Sequence, residues 1–317
     1  MANFSCVSTN ATYPHILYTT VYSVVLVIGL PCNAVSLWIF FRRLGLQSTP
    51  SIYMTNLAIS DLLFVISLPL RIFYFATGWW PFGDILCMIP GTLFSVNIYS
   101  SSFFIGLISL DRLFAVIYPL RSRNIRTPYF AKLACGFVWV IIFTISIPIA
   151  LNHKANKDSC NVTRCFEAYS NESWKNGFII FCLLTAIGIL VPFLLIAMST
   201  IGVLKTIKSK SIGMEAFDKQ KMVCMFLMNL LMYAICFVPF HIICILYSLN
   251  KLGFLHNNYT RAQIIGLCLA SSNSCLDPLI YYFTTDAFWK KKSEQMDLAS
   301  TQSKLPTVSL LKCELSV

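Results

Sequence analysis

Seven apolar runs dominate the chain, at 17–41, 51–75, 86–118, 131–151, 178–204, 222–249 and 264–283. Each reaches about 20 residues, the length a helix needs to cross a hydrocarbon layer. A spanning segment must satisfy its own backbone N–H and C=O groups. These runs are too long and too continuous for the alternating strands of a barrel, so helices are expected. Composition agrees, because 57% of the 317 residues are hydrophobic and 12% are charged, against roughly 25% charged in a soluble domain. That leaves too little polar side chain to coat a water-dissolved globule, which excludes a soluble enzyme. The expected fold is all-α: a glycosylated extracellular N-terminus over 1–16, a seven-transmembrane helix bundle over 17–283, then a short amphipathic helix and cytoplasmic tail over 284–317. Pro69, Pro148, Pro192, Pro239 and Pro278 fall inside the runs, where each removes a backbone hydrogen bond and kinks its helix.

The formal charge of +11 could suggest a nucleic-acid binder, but its distribution argues otherwise. Arg42, Arg43, Arg121, Arg123, Arg126, Lys205, Lys208, Lys210 and Lys290 to Lys292 all fall on one side of the bundle, the cytosolic side by the positive-inside rule. The N-terminus is therefore placed outside, in the plasma membrane of a multi-pass protein, with no nucleic-acid partner. Glycosylation sequons at Asn3, Asn10, Asn161, Asn171 and Asn258 all fall on the opposite, outer side. No cleavable signal peptide is expected, since residues 1–16 are polar and the first apolar run is a full span.

Chemistry-bearing residues are few. Among 13 cysteines, Cys6, Cys87, Cys160 and Cys165 lie on the outer side, where oxidation is expected. Four cysteines allow three pairings, and spacing selects none of them. The cysteines inside the spans show no CxxC or histidine-partnered spacing and read as small apolar packers. His15, His153 and His256 lie at loops or span ends, and His241 is alone in its span; no HExxH or nucleophile elbow occurs, so no enzyme activity and no cofactor are expected. A transporter would show broken helices in matching halves, and no such symmetry is visible. Charges inside spans mark pathways or switches, because each costs about 2.5 to 3.5 kcal/mol on insertion scales. Asp61, Arg71, Asp111, Arg112 and Asp277 form the short list. Arg71 follows Asp61 by ten residues on one helix, about 15 Å further out at 1.5 Å per residue.

In this order along the chain stand Asn33, Asn56-Leu57-Ala58-Ile59-Ser60-Asp61, Cys87, Asp111-Arg112-Leu113, Pro119-Leu120, Trp139, Pro192, Cys236-Phe237-Val238-Pro239 and Asp277-Pro278-Leu279-Ile280-Tyr281. The series resembles the rhodopsin-like (class A) G-protein-coupled receptors from the first span to the short amphipathic helix after the seventh. Two positions depart from the usual pattern: Leu113 stands where most members have Tyr, and Phe237 where most have Trp. Leu68 to Tyr74, Trp80-Pro81-Phe82-Gly83, Cys165-Phe166-Glu167 and the Trp174-Lys175 pair are most similar to the lysophosphatidic acid receptors of the purinergic-receptor-like group.

That resemblance implies a set of roles. It pairs Cys87 with Cys165 and leaves Cys6 to Cys160. Asp61, Asn97, Ser101, Asn273 and Asp277 become a polar mid-bundle site for an allosteric sodium ion. Asp111, Arg112, Leu120 and Tyr281 become the switch read by heterotrimeric G proteins, with arrestins and receptor kinases acting through the tail and membrane lipids around the bundle. Lys219 stands where some relatives carry an acidic partner for the third-span arginine, so that lock is expected to be absent. Amine-binding members carry an acid seven residues after the third-span cysteine; here that residue is Phe94. The outer charges are instead net basic, which favours an anion. Arg71 is expected to anchor a lysophospholipid headgroup, with Tyr74, Phe94, Lys175, His241, Lys251 and Arg261 completing the ligand site. A nucleotide or peptide ligand is the alternative, but the nucleotide-binding pattern of a basic residue three after the sixth-span histidine reads Cys244 after His241.

Overall fold

The computed structural model describes residues 12–151, 155–157, 161–166, 186–209, 216–256 and 259–284. The helices among them are α1 (Thr12–Ile39), α2 (Thr49–Thr77), α3 (Gly83–Ile117), α4 (Pro128–Leu151), α5 (Val191–Ser209), α6 (Ala216–Cys236), α7 (Val238–Lys251) and α8 (Thr260–Thr284). α6 and α7 are the two halves of the sixth span, and α8 is the seventh. Six described spans are long and apolar enough to cross a membrane. α8 is less apolar because Ser271 to Ser274 and Asp277 lie along it.

Local chemistry sets the helix ends. Ser48 caps α2 by accepting from the Ser51 N–H at 3.4 Å, followed by Pro50 in the first turn. α2 stops at Gly78, whose φ of 69° suits glycine, with its N–H on the Tyr74 carbonyl at 2.7 Å. Proline stands beside two irregular stretches, whereas the π-turn over Phe40–Leu44 contains none. A π-turn over Ala186–Leu190 directly precedes Pro192, and the Tyr233 hydroxyl donates to the Ile189 carbonyl in it at 3.0 Å. The sixth span bends at Phe237, two residues before Pro239, while Phe237 N–H still reaches Tyr233 at 3.0 Å and His241 N–H reaches Phe237 at 3.2 Å. The span is kinked rather than cut. Pro90 lies inside α3, a further helix proline beyond those expected to bend their spans.

The bundle is apolar outside and polar within. Large apolar side chains such as Val27, Ile66, Phe137 and Val140 are exposed, while Asp61, Asn97, Ser101, Ser274 and Asp277 are buried. This inversion is what lipid as solvent requires. Tyr22, Leu57, Phe64, Leu68, Phe104 and Tyr233 sit in the central core. At one end a short hairpin, β1 (Asn156–Lys157) paired antiparallel with β2 (Thr163–Arg164), covers the α2–α3 turn. It is fastened by Trp80 N–H on the Thr163 carbonyl at 3.1 Å, by Arg164 on the Gly78 carbonyl at 2.8 Å and by the Cys87–Cys165 disulfide. The segments expected to hold Cys6, Cys160 and the helix after the seventh span lie outside the described residues.

Candidate functional site

α2 presents Phe64, Ser67, Leu68, Arg71 and Tyr74 to the bundle interior, the spacing of one helix face. Arg71 is consequently a cation pointing inward, 6% exposed. Its guanidinium donates to the Pro90 carbonyl at 3.0 Å. Three rings surround it, each from a different element: Phe166 after the hairpin at 4.6 Å, Phe94 of α3 at 5.0 Å and Tyr22 of α1 at 5.9 Å. Among the described residues the Arg71 Nε has no hydrogen-bond partner, the Tyr22 hydroxyl lies against the guanidinium, and the ion pair lies elsewhere, between Arg126 and Asp111. Cation–π contact offsets part of the desolvation of this charge, but a buried cation calls for an anion.

From this cage an aromatic path runs inward. Phe94 meets Phe240 at 6.0 Å, Phe240 meets His241 at 4.6 Å, and His241 faces Tyr99 at 6.2 Å. A carbonyl can only accept, so the His241 Nδ1 within 2.7 Å of the Phe237 carbonyl carries a proton and donates. Its buried Nε2 has no hydrogen-bond partner among the described residues. An anion-seeking fork above a run of aromatic rings suits an amphiphile with one charged end. Of the expected ligand residues, the structure brings Arg71, Phe94 and His241 onto this path. Tyr74 joins the neighbouring aromatic box, 5.5 Å from Phe166 and 6.1 Å from Trp80. Arg261 is exposed in the first turn of α8. Lys175 and the Lys251 side chain lie outside the described residues. Tyr22 and Phe166 were not legible as site residues: nothing in one-dimensional spacing ties a first-span tyrosine or a loop phenylalanine to Arg71.

A second polar site lies one helix half further in. Asp61 Oδ1 accepts from Asn97 at 2.9 Å and from the Ser274 hydroxyl at 3.0 Å. Asn97 also reaches Ser101 at 3.4 Å, and Asn273 donates to Asp277 at 2.8 Å. Ser60 and Ser100 share a hydrogen bond beside them. The five expected residues therefore converge, with Ser274 as an addition; its place three residues before Asp277, on one face of a helix, was a signal available in the sequence. Asn33 joins α1 to α8 through the Ser274 carbonyl at 2.7 Å. Among the described residues Asp61 Oδ2, Asp277 Oδ1 and Asn273 Oδ1 have no separate hydrogen-bond donor, and the two carboxyl groups lie within hydrogen-bonding reach of each other. All three are oxygens, and the first two belong to carboxylates, which is the donor chemistry a hard monovalent cation takes.

At the far end Asp111 is gripped by Arg126, with Nε on Oδ1 at 2.9 Å and Nη2 on Oδ2 at 3.1 Å. This bidentate pair joins the foot of α3 to the segment before α4. A 3₁₀ turn over Arg121–Asn124 is anchored by the buried Ser122, whose hydroxyl donates to the Phe114 carbonyl at 3.1 Å. Leu120 is left 89% exposed at its tip. Arg112 is half-buried. Leu113 lies against α5 where Gly202 leaves room; a Cβ there would stand 2.9 Å from its Cδ1. The Tyr281 side chain is outside the described residues, as are the sequons at Asn3, Asn10, Asn171 and Asn258. Asn161 is exposed.

Residues 32–281 match the family model of the 7 transmembrane receptor (rhodopsin family). The chain is 39% identical over 284 residues to lysophosphatidic acid receptor 5 of Bos taurus, covering 86% of this chain and 77% of that protein. It is 38% identical over 296 residues to lysophosphatidic acid receptor 4 of Homo sapiens, covering 91% and 80%. Against lysophosphatidic acid receptor 6 of Gallus gallus the figures are 37% over 296 residues, 90% and 95%.

Proposed function

The chain belongs to the rhodopsin family of seven-transmembrane receptors, and on that premise we propose that it binds an extracellular lysophospholipid, most simply lysophosphatidic acid, and passes the signal to heterotrimeric G proteins. It is a multi-pass receptor of the plasma membrane rather than an enzyme. The observation that carries the reading is Arg71, a buried cation with no ion-pair partner among the described residues, caged by aromatic rings and opening onto an aromatic path. A phosphate monoester supplies the missing charge, and an acyl chain suits the rings below. Relatives whose names state lysophosphatidic acid support the same ligand class. The unpartnered His241 Nε2 suits a ligand hydroxyl, to which it would act as acceptor.

In this reading the Arg71 end faces outside and the Arg112 end faces the cytosol, as the charge distribution and sequons argue. Asp111, Arg112 and Leu120 meet the G protein. Arrestins and receptor kinases act on the tail, where Ser293, Ser300, Thr301, Ser303, Thr307 and Ser309 occur. Asp61, Asp277, Asn97, Ser101, Asn273 and Ser274 would hold sodium, whose charge would offset the cost of two buried carboxylates in one cluster. Exposing cells that express the chain to oleoyl lysophosphatidic acid and, separately, to nucleotides, with a readout independent of G-protein class, tests the ligand. Activation by the lipid is expected. A response to nucleotides alone would assign the site to another ligand class.

A further inference from the structure

We propose that Phe166 is a positioning residue for Arg71, holding its guanidinium so that an edge is presented to the anionic headgroup. The identity of that headgroup rests on the function proposed above; the geometry of the cage does not. Arg71 has a long side chain whose guanidinium donates to the Pro90 carbonyl and lies against the Tyr22 hydroxyl, contacts that leave Nε unpartnered among the described residues and do not by themselves fix the plane of a five-donor fork. Tyr22 and Phe94 come from membrane helices. Phe166 comes from a loop and is the nearest of the three rings, at 4.6 Å.

Its backbone explains how a loop residue reaches so far in. Phe166 has a φ of 63°, a left-handed conformation rare for a bulky side chain. Strain of this kind persists where the surroundings over-determine it. Here the preceding Cys165 is bonded to Cys87 at the head of α3. The ring meets Tyr74 at 5.5 Å, Trp80 at 5.4 Å and Phe75 at 6.3 Å, and Trp80 is itself fixed by Nε1 donating to the Gly83 carbonyl at 2.8 Å. The disulfide and the aromatic box thus turn one loop residue inward onto the cation. Removing the ring leaves the charge of Arg71 in place but frees its plane and admits water, so the loss acts through Arg71.

A double-mutant cycle in the full chain separates this from simple packing. At matched surface expression, Phe166→Ala and Phe166→Leu should each lower lysophosphatidic acid potency roughly 3- to 30-fold, the span of one desolvated cation–π contact. Phe166→Tyr, which keeps the ring, should stay within about 3-fold of wild type. On an Arg71→Ala background, Phe166→Ala should add less than about 2-fold, the mark of coupled sites. A multiplicative loss in both backgrounds, or full potency in Phe166→Leu, would overturn the assignment. Phenylglyoxal labelling of Arg71 in the ligand-free protein, followed by peptide mass spectrometry, decides the cage without any agonist. Several-fold faster labelling in Phe166→Leu than in Phe166→Tyr is expected, and equal rates would refute the role. A wild-type chain deaf to lysophosphatidic acid would overturn the ligand class while the labelling result still stood.

Discussion

Arg71 and Asp61 share the inward face of α2 and pose opposite electrostatic problems. The cation is wrapped in rings and lacks a carboxylate among the described residues; the anion is met by Asn97 and Ser274 and faces a second buried carboxyl, Asp277, with no separate donor to Asp61 Oδ2 or Asp277 Oδ1 among the described residues. A bound cation would answer the second problem as a phosphate answers the first. Replacing sodium with N-methylglucamine should therefore change agonist affinity by about 5-fold or more, the lower range of ordinary allosteric coupling, and Asp61→Asn should abolish that dependence. The same sodium response in wild type and variant would leave the cluster without an ion-binding role. At this scale the sequence was informative wherever a charge stood inside an apolar run, because insertion cost alone marks such residues. Tyr22, Phe166 and the Asp111–Arg126 pair were not legible, since each depends on which distant segments the fold brings together.

The elements carry the distortions that shape the site. The apolar runs announced the helices, but hydropathy does not report helix type, so the π-turn over Ala186–Leu190 and the bend at Phe237 came only as an expectation of kinks at Pro192 and Pro239. The π-turn brings Gly188 against Tyr99. A Cβ there would stand 2.5 and 2.7 Å from two ring carbons, closer than real contacts allow. Gly188→Ala should destabilise the bundle by about 1 to 3 kcal/mol, the usual cost of overpacking, and displace Tyr99 next to His241. Thermal denaturation of the purified protein would register this as a lowered midpoint, and adding Tyr99→Ala should relieve it. An unchanged midpoint would mean that the α3–α5 contact is looser than these distances state.

Across the whole molecule, the Arg71 cage at one end is joined through a polar, tightly packed middle to Asp111 and Arg112 at the other. Arg112→Ala should abolish agonist-stimulated nucleotide exchange while ligand affinity stays within about 3-fold, as expected of a residue remote from the ligand; equal loss of both would mean that the substitution unfolds the bundle. The central claim is that Arg71 holds the phosphate whose binding drives the switch. Its most direct test is lysophosphatidic acid potency in Arg71→Ala against wild type at matched surface expression. Losing one charge-assisted contact costs about 1.5 to 3 kcal/mol, so potency should fall roughly 10- to 150-fold, with Arg71→Lys restoring only part because lysine lacks the bidentate fork. Unaltered potency in Arg71→Ala would contradict the claim.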